Sequence, residues 1–162
     1  ASAHLVLQMA RYLYPSSYLA VMSRSEAKQD FAKKLGADWA GPPGSAPPVP
    51  LDAVIDTTPV WAAVVEGLEL LAPAGRLVIN AIRKEDRDKT ELTRMSYETH
   101  VWNEKQLTTV ANVTRVDISA ALKVCAEASI HPTVEPYRLE EANRALIDLK
   151  FGSGMGAKVL IV

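Results

Sequence analysis

Tyr18-Leu-Ala-Val-Met-Ser-Arg-Ser-Glu-Ala-Lys28 is the stretch whose reading decides the fold. Tyr18 to Met22 reads as a buried strand, Ser23-Arg24-Ser25 as a polar break, and Glu26 to Leu35 as a helix capped by Gly36. A strand passing through a short polar turn into a helix is the repeating unit of an open parallel sheet. Ligands of such sheets sit beyond the carboxyl ends of the strands. The break therefore lies where a ligand would lie.

What the break contains sets the ligand. A site for the unmodified adenosine ribose of NAD normally carries Asp or Glu here, because a carboxylate accepts from both hydroxyls. Ser23, Arg24, Ser25 and, one helical turn on, Lys28 instead supply two hydroxyls and two cations. That set suits a dianionic phosphate monoester, which Arg grips bidentately and a carboxylate would repel. The expected group is the 2′-phosphate of NADP. A plainer reading stands beside it, with Ser25 as an N-cap and Arg24 and Lys28 as solvated charges. Cations at a helix N-terminus oppose the dipole unless an anion joins them, which favours the phosphate.

The bulk properties narrow the class. A chain of 162 residues, 48% hydrophobic and 23% charged, fits one soluble domain with a sizeable core. A formal net charge of -1 leaves no basic excess for nucleic acid or an acidic membrane. Cys125 is the single cysteine; it excludes an internal disulfide and suits a reducing, cytoplasmic compartment. Its apolar neighbours in Ala120–Ala126 make it a buried thiol rather than a nucleophile. No apolar run reaches membrane-spanning length, and Ala1-Ser-Ala-His4 does not read as a signal peptide. There is no internal repeat.

Elsewhere strands and helices alternate. Leu5, Val6, Met9, Ala10 and Leu13 recur at helical spacing from His4 to Leu13, and Pro15 ends that helix. The helix after the break should turn Ala27, Phe31, Ala32 and Leu35 inward. Residues 37–40 read as a short strand, and Gly41–Pro50, with five prolines in ten residues, as a stiff loop. Asp52–Asp56 is a strand ending in Thr57-Thr58-Pro59. A helix over 60–71, a turn at Pro73-Ala-Gly75 and a strand over Arg76–Ile82 follow. Lys84 to Lys89 reads as a solvated charge run, 91–100 as a helix, and Lys105–Ala111 as a strand. After the break Asn112–Arg115 come a helix over 116–129, a strand over 133–137, a helix over 139–151 and a closing strand over 157–162.

Several runs together resemble the zinc-dependent alcohol dehydrogenases of the medium-chain dehydrogenase/reductase superfamily, in their C-terminal nucleotide-binding domain only. They are His4-Leu-Val-Leu-Gln-Met-Ala-Arg11, Ser23-Arg-Ser-x-x-Lys28 and Phe31-Ala-Lys-Lys-Leu-Gly-Ala-Asp38, then Asp52-Ala-Val-Ile-Asp56 and Leu70-Leu-Ala-Pro-Ala-Gly-Arg-Leu-Val-Ile79. Val110-Ala-Asn-Val-Thr-Arg-x-Asp117 and Leu139-Glu-Glu-Ala-Asn-x-Ala-Leu146 complete the set. Each alone is weak; their order and spacing across nearly the whole chain are specific.

The resemblance implies a Rossmann-like, doubly wound, mostly parallel α/β sheet over 1–162, lacking its first, central strand. It places Ser23, Arg24 and Lys28 on the 2′-phosphate of NADP(H), and Thr57 and Thr58 beside the adenosine and ribose. It places Asn80 to Ile82 (with Ala81) and Thr109 to Ala111 (with Val110) near the nicotinamide, and Arg115 on the phosphates. Ala1 and Ser2 would follow the second glycine of the phosphate-binding fingerprint, with Ala3 replacing the third. The catalytic half, with its zinc ligands, is absent, so the chain reads as part of a longer enzyme. His4, His100 and His131 are scattered and read as structural, not as a zinc set. The implied reaction is hydride transfer between NADP(H) and an alcohol and its aldehyde or ketone.

Two structural expectations follow. The missing central strand should leave a gap in the sheet or be replaced from another chain, because its neighbours would otherwise carry unpaired backbone groups. Lys105–Ala111 should be an edge strand that joins two subunits, as in the family. Competing readings are a zinc-free quinone or enoyl reductase of the same superfamily and a nucleotide-sensing module without chemistry. An S-adenosylmethionine-dependent methyltransferase fits worse, since its ribose site wants an acidic residue where Ser23-Arg24 stands.

Overall fold

A computed structural model describes residues 3–151 and 156–162. Ala1 and Ser2, both candidate cofactor residues, lie outside the described residues. The chain divides into two compact units: Met22–Arg24 with Gly41–Thr114, and Ala1–Val21 with Ser25–Ala40 and Arg115–Val162.

The first of these holds the parallel sheet that organises the candidate site. Strand β3 (Leu51–Asp56) pairs with β4 (Leu71–Ile79), and β4 with β5 (Gln106–Thr109), all parallel. The crossover from β3 to β4 is helix α3 (Ala62–Glu69), which buries Val64, Val65 and Leu68. Val64 and Leu68 form a core with Leu71, Leu77 and Ile79, against which Val54, Trp61, Ala81 and Met95 pack. Gly67 sits on the sheet-facing side of α3. A Cβ built there would lie 2.6 Å from Leu77 Cδ1 and 3.2 Å from Val54 Cγ1. Leu77 is fully enclosed and cannot swing aside.

Strand β4 begins earlier than the sequence pattern indicates. Pro73-Ala-Gly75 is not a turn between elements but an irregular stretch inside the strand, where Leu51 pairs with Leu71 and Ala53 with Arg76. Ala74 takes φ 60° and donates its N–H to Asn103 O at 2.7 Å, away from β3. The strand stops at Ile79 rather than Ile82. The expected helix over 91–100 is two shorter pieces, a 3-10 segment Asp86–Arg94 and a wider turn Tyr97–Val101. Ser96 separates them: its hydroxyl accepts from Thr99 N–H, and its own N–H donates to His100 Nδ1 at 3.1 Å. His100 is buried there. Lys105 donates to Leu68 O at 2.7 Å and Thr99 O at 2.8 Å, a cation at the carbonyl end of α3. Burial pushes its ammonium below the ordinary lysine range.

In the other unit, α1 (Ala3–Leu13) and α2 (Glu26–Lys34) contribute Leu7 and Ala32 to a small core with Ala37 and Ala40. Ala27, expected inside, is exposed; Phe31 and Leu35 are half-buried. Gly36 takes φ +104°, the left-handed cap position that the sequence assigns it. Arg11 pins this unit with Nε and Nη2 on Gly36 O, Nη1 on Pro15 O and Ser17 O, and Nη2 on Asp38 at 2.5 Å. Asp38 also accepts from Leu19 N–H, and that bond, then Arg11, holds its carboxyl below the usual range.

Strand β1 (Ala20–Met22) pairs with β2 (Trp39–Gly41). Strands β6 (Val134–Arg138) and β7 (Ala157–Ile161) pair in parallel, linked by α5 (Ala142–Lys150), while α4 (Arg115–Glu127) buries none of its side chains and Cys125 is half-buried rather than buried. Among the described residues the strands thus form three separate sheets, and no ladder joins β1 to β3.

The Gly67 contact makes one test of this packing. Gly67→Val should cost about 1–3 kcal/mol, the usual penalty for forcing carbon into a filled core. Urea unfolding checks it, and an unchanged midpoint would show that α3 does not ride this close to β3 and β4.

Candidate cofactor site

The register of the parallel sheet builds the site. Asp56 is the Cα partner of Ile79, and Ile79 of Thr109, so β3, β4 and β5 end side by side. The ladder runs one step further: Asn80 N–H donates to Asp56 O at 2.8 Å and Val110 N–H to Ile79 O at 3.1 Å. Thr57-Thr58, Asn80-Ala81 and Val110-Ala111 consequently leave the sheet together at its carboxyl edge. Thr57, Thr58 and Ala81 are half-buried; Asn80, Val110 and Ala111 are exposed. Backbone amides committed to the ladder cannot serve a ligand, so Asn80 offers its side chain and Val110 its exposed apolar surface.

Thr58 is used differently from Thr57. Its N–H and hydroxyl both donate to Asp56 Oδ1, at 2.9 and 2.8 Å, which folds the chain back over the strand end. Asp56 is buried and its other oxygen meets Lys84 Nζ. Lys84 also donates to Thr58 O at 3.0 Å and Val60 O at 2.8 Å, and its ammonium stands 5.8 Å from the Trp61 ring centre. Lys84, read from the sequence as part of a solvated run, is therefore largely enclosed, with its side chain 9% exposed. Asp88 of the same run accepts from Ala62 N–H at 3.0 Å and caps α3, whose own cap residue, Trp61, has no suitable side chain. A charge run carries no periodicity, so the only signal for these roles was its position just after a strand end.

Ser23 and Arg24 follow β1 within the same compact unit as β3, β4 and β5. Ser23 N–H donates to Gly41 O at 3.0 Å, carrying the ladder past the strand. Arg24 and Lys28 are exposed, and neither enters a salt bridge among the described residues. Ser25 is the N-cap of α2 in extended backbone, φ -101° and ψ 125°, but makes no side-chain cap bond. Its carbonyl accepts from Lys28 N–H at 3.0 Å, so Lys28 stands in the first turn of α2. Arg115 opens α4, exposed, after Asn112 at φ 66°.

Comparison with known proteins agrees with this architecture. No family model matches the chain. It is 36% identical over 161 residues to "Probable alcohol dehydrogenase AdhA" of Mycobacterium tuberculosis, covering 99% of this chain and 44% of that protein. Among solved structures, an alcohol dehydrogenase of the archaeon Aeropyrum pernix aligns at a TM-score of 0.82 with 21% identity, over 98% of this chain and 46% of that one. A quinone oxidoreductase of Coxiella burnetii aligns at 0.73 with 19% identity, over 98% and 49%. The chain spans less than half the length of the curated relative it matches. Along nearly its whole length, then, it is similar in sequence to part of an alcohol dehydrogenase, and its α/β fold is that of the matching part of solved alcohol dehydrogenases.

Proposed function

We propose that this chain is the nucleotide-binding domain of an NADP(H)-dependent alcohol dehydrogenase that interconverts an alcohol and its aldehyde or ketone. The observation carrying this is the set of strand ends in one register, together with the break Ser23-Arg24-Ser25 after β1, which holds a cation and two hydroxyls but no carboxylate. The dinucleotide lies across the carboxyl edge. Arg24 and Lys28, with Ser23, take the 2′-phosphate; Thr57 and Thr58 line the adenosine side; Asn80, Ala81, Val110 and Ala111 face the nicotinamide; Arg115 reaches the bridging phosphates. Ala1 and Ser2 belong to the phosphate loop. The bound cofactor supplies the hydride chemistry, and these residues bind and orient it.

In this reading the chain gives no ligand to a catalytic zinc, because His4, His100, His131 and Cys125 are scattered along the sequence. Among the described residues, no three His, Cys, Asp or Glu side chains group closely enough to hold a metal ion. Zinc in the whole enzyme would take its ligands from the other half of the polypeptide. A zinc-free quinone reductase is the second reading, supported by the fold shared with the Coxiella protein. Cysteine and histidine ligands in that other half separate the two.

We also assign this protein to the cytoplasm, on its cysteine usage, and to a homodimer. No helix among the described residues is long and apolar enough to cross a membrane. Strand β5 is exposed on both faces and pairs only with β4 among the described residues, leaving an edge open to a second subunit. Size-exclusion chromatography of the whole enzyme at micromolar concentration should give a dimer; a clean monomer refutes the edge assignment.

The cofactor reading is tested on the whole enzyme by titrating NADPH and NADH against Arg24→Ala. Loss of the guanidinium should weaken NADPH by about 1.5–3 kcal/mol, the usual worth of charged hydrogen bonds, and leave NADH nearly unchanged. Equal losses for the two would remove Arg24 from the 2′-phosphate.

A further inference from the structure

We infer that Lys84 is a positioning residue for the dinucleotide: it holds the turn over 56–61 in the shape that the adenosine side of the site requires. The inference rests on the site proposed above and adds to it a residue that touches no ligand. A lysine ammonium has three N–H groups and no acceptor. Here all three are used, on Asp56 Oδ2, Thr58 O and Val60 O. These acceptors come from three alternate positions of one short segment, so a single cation fixes the whole turn. Asp56 answers by accepting from Lys84, Thr58 N–H and Thr58 Oγ1.

The neighbours of Lys84 repeat the pattern. Glu85 N–H donates to Pro59 O at 2.8 Å, and Asp88 takes Ala62 N–H. Residues 84–88 are thus laced along 56–62, and the chain that leaves β4 braces the turn that leaves β3. Side-chain exposures of 9% for Lys84 and 2% for Asp56 put the pair out of water. An enclosed ion pair of this kind adds little net stability compared with an apolar pair, yet breaking it by removing one partner is severe. Its gain is geometric. Asp56 and Lys84 spend their charges on the protein itself, which leaves Thr57 as the residue of the turn whose hydroxyl is not drawn into the network by any bond described above. A ligand meeting this turn finds it already folded and pays less ordering entropy on binding.

The test uses the whole enzyme with NADPH and NADH as probes, taking whichever the unaltered enzyme binds more tightly. Lys84→Met should raise the dissociation constant at least tenfold while kcat at saturating nucleotide stays within twofold, because the reacting end of the site is untouched. Asp56→Asn combined with Lys84→Met removes both enclosed charges. It should recover most of the lost thermal stability and leave the affinity weak, since Thr58 O and Val60 O still lack their donor. Recovery of affinity along with stability would reduce Lys84 to a purely structural role and overturn the inference. An affinity unchanged in Lys84→Met would do the same while leaving the nucleotide site intact. Failure of the unaltered enzyme to bind either dinucleotide would instead remove the site itself.

Should Lys84→Met not fold, amide exchange on the unaltered enzyme decides. The peptide spanning 57–62 should exchange more slowly than the proline-rich loop 42–50 before nucleotide is added, and slow further afterwards. Exchange as fast as in that loop, or no change on binding, overturns the inference.

Discussion

The constraint on which the rest depends is the common register of three parallel strands. Asp56, Ile79 and Thr109 stand abreast, and Thr57, Thr58, Asn80, Ala81, Val110 and Ala111 all leave the sheet within two residues of them. Parallel pairing demands a crossover between neighbouring strands, and α3 can make one only by lying flat on β3 and β4. Gly67 allows that approach by offering no side chain where Leu77 and Val54 already fill the space. Shift β4 by one residue and Leu77 would point to the opposite face, emptying the core and moving Asn80 out of line with Thr57.

A sheet edge built this way gives the loops a common origin but not a shape. The turn after β3 must reverse over buried ground, with carbonyls at Thr58 and Val60 that need donors. Lys84 supplies them and Asp56 balances its charge. The same unit contains a second lysine used in the same manner: Lys105 donates to carbonyls at the end of α3 and in the turn before β5. In both places a long side chain carries one cation to several backbone oxygens that no secondary structure could reach.

How much of this could be read in the sequence follows from what periodicity records. Alternation and helical spacing locate β3, β5, α1 and α2 to within a few residues, and Gly36 ends its helix where a residue tolerant of positive φ was needed. The end of β3 comes directly from those boundaries, whereas β4 and β5 stop at Ile79 and Thr109, short of the Ile82 and Ala111 that the pattern indicates. Three features escaped. Pro73 read as a turn because proline normally leaves a ladder, whereas Ala74 at φ 60° lets β4 absorb it as an irregularity. The helix expected over 91–100 breaks at Ser96, whose hydroxyl and amide are drawn into local bonds with Thr99 and His100. Lys84 looked solvated because a run of alternating charge gives no hint that one member turns inward. Arg24 and Lys28 are the opposite case, since exposed cations without ion-pair partners among the described residues look the same in sequence and in structure.

The most direct measurement of the central claim is a crystal structure of the whole enzyme with NADPH bound. The dinucleotide should lie across the carboxyl edge of β3, β4 and β5, with its 2′-phosphate about 2.7–2.9 Å from the Arg24 guanidinium, the span of a charge-assisted hydrogen bond. A nucleotide seated away from that edge, or one whose 2′-phosphate points into solvent while Arg24 turns elsewhere, would contradict it.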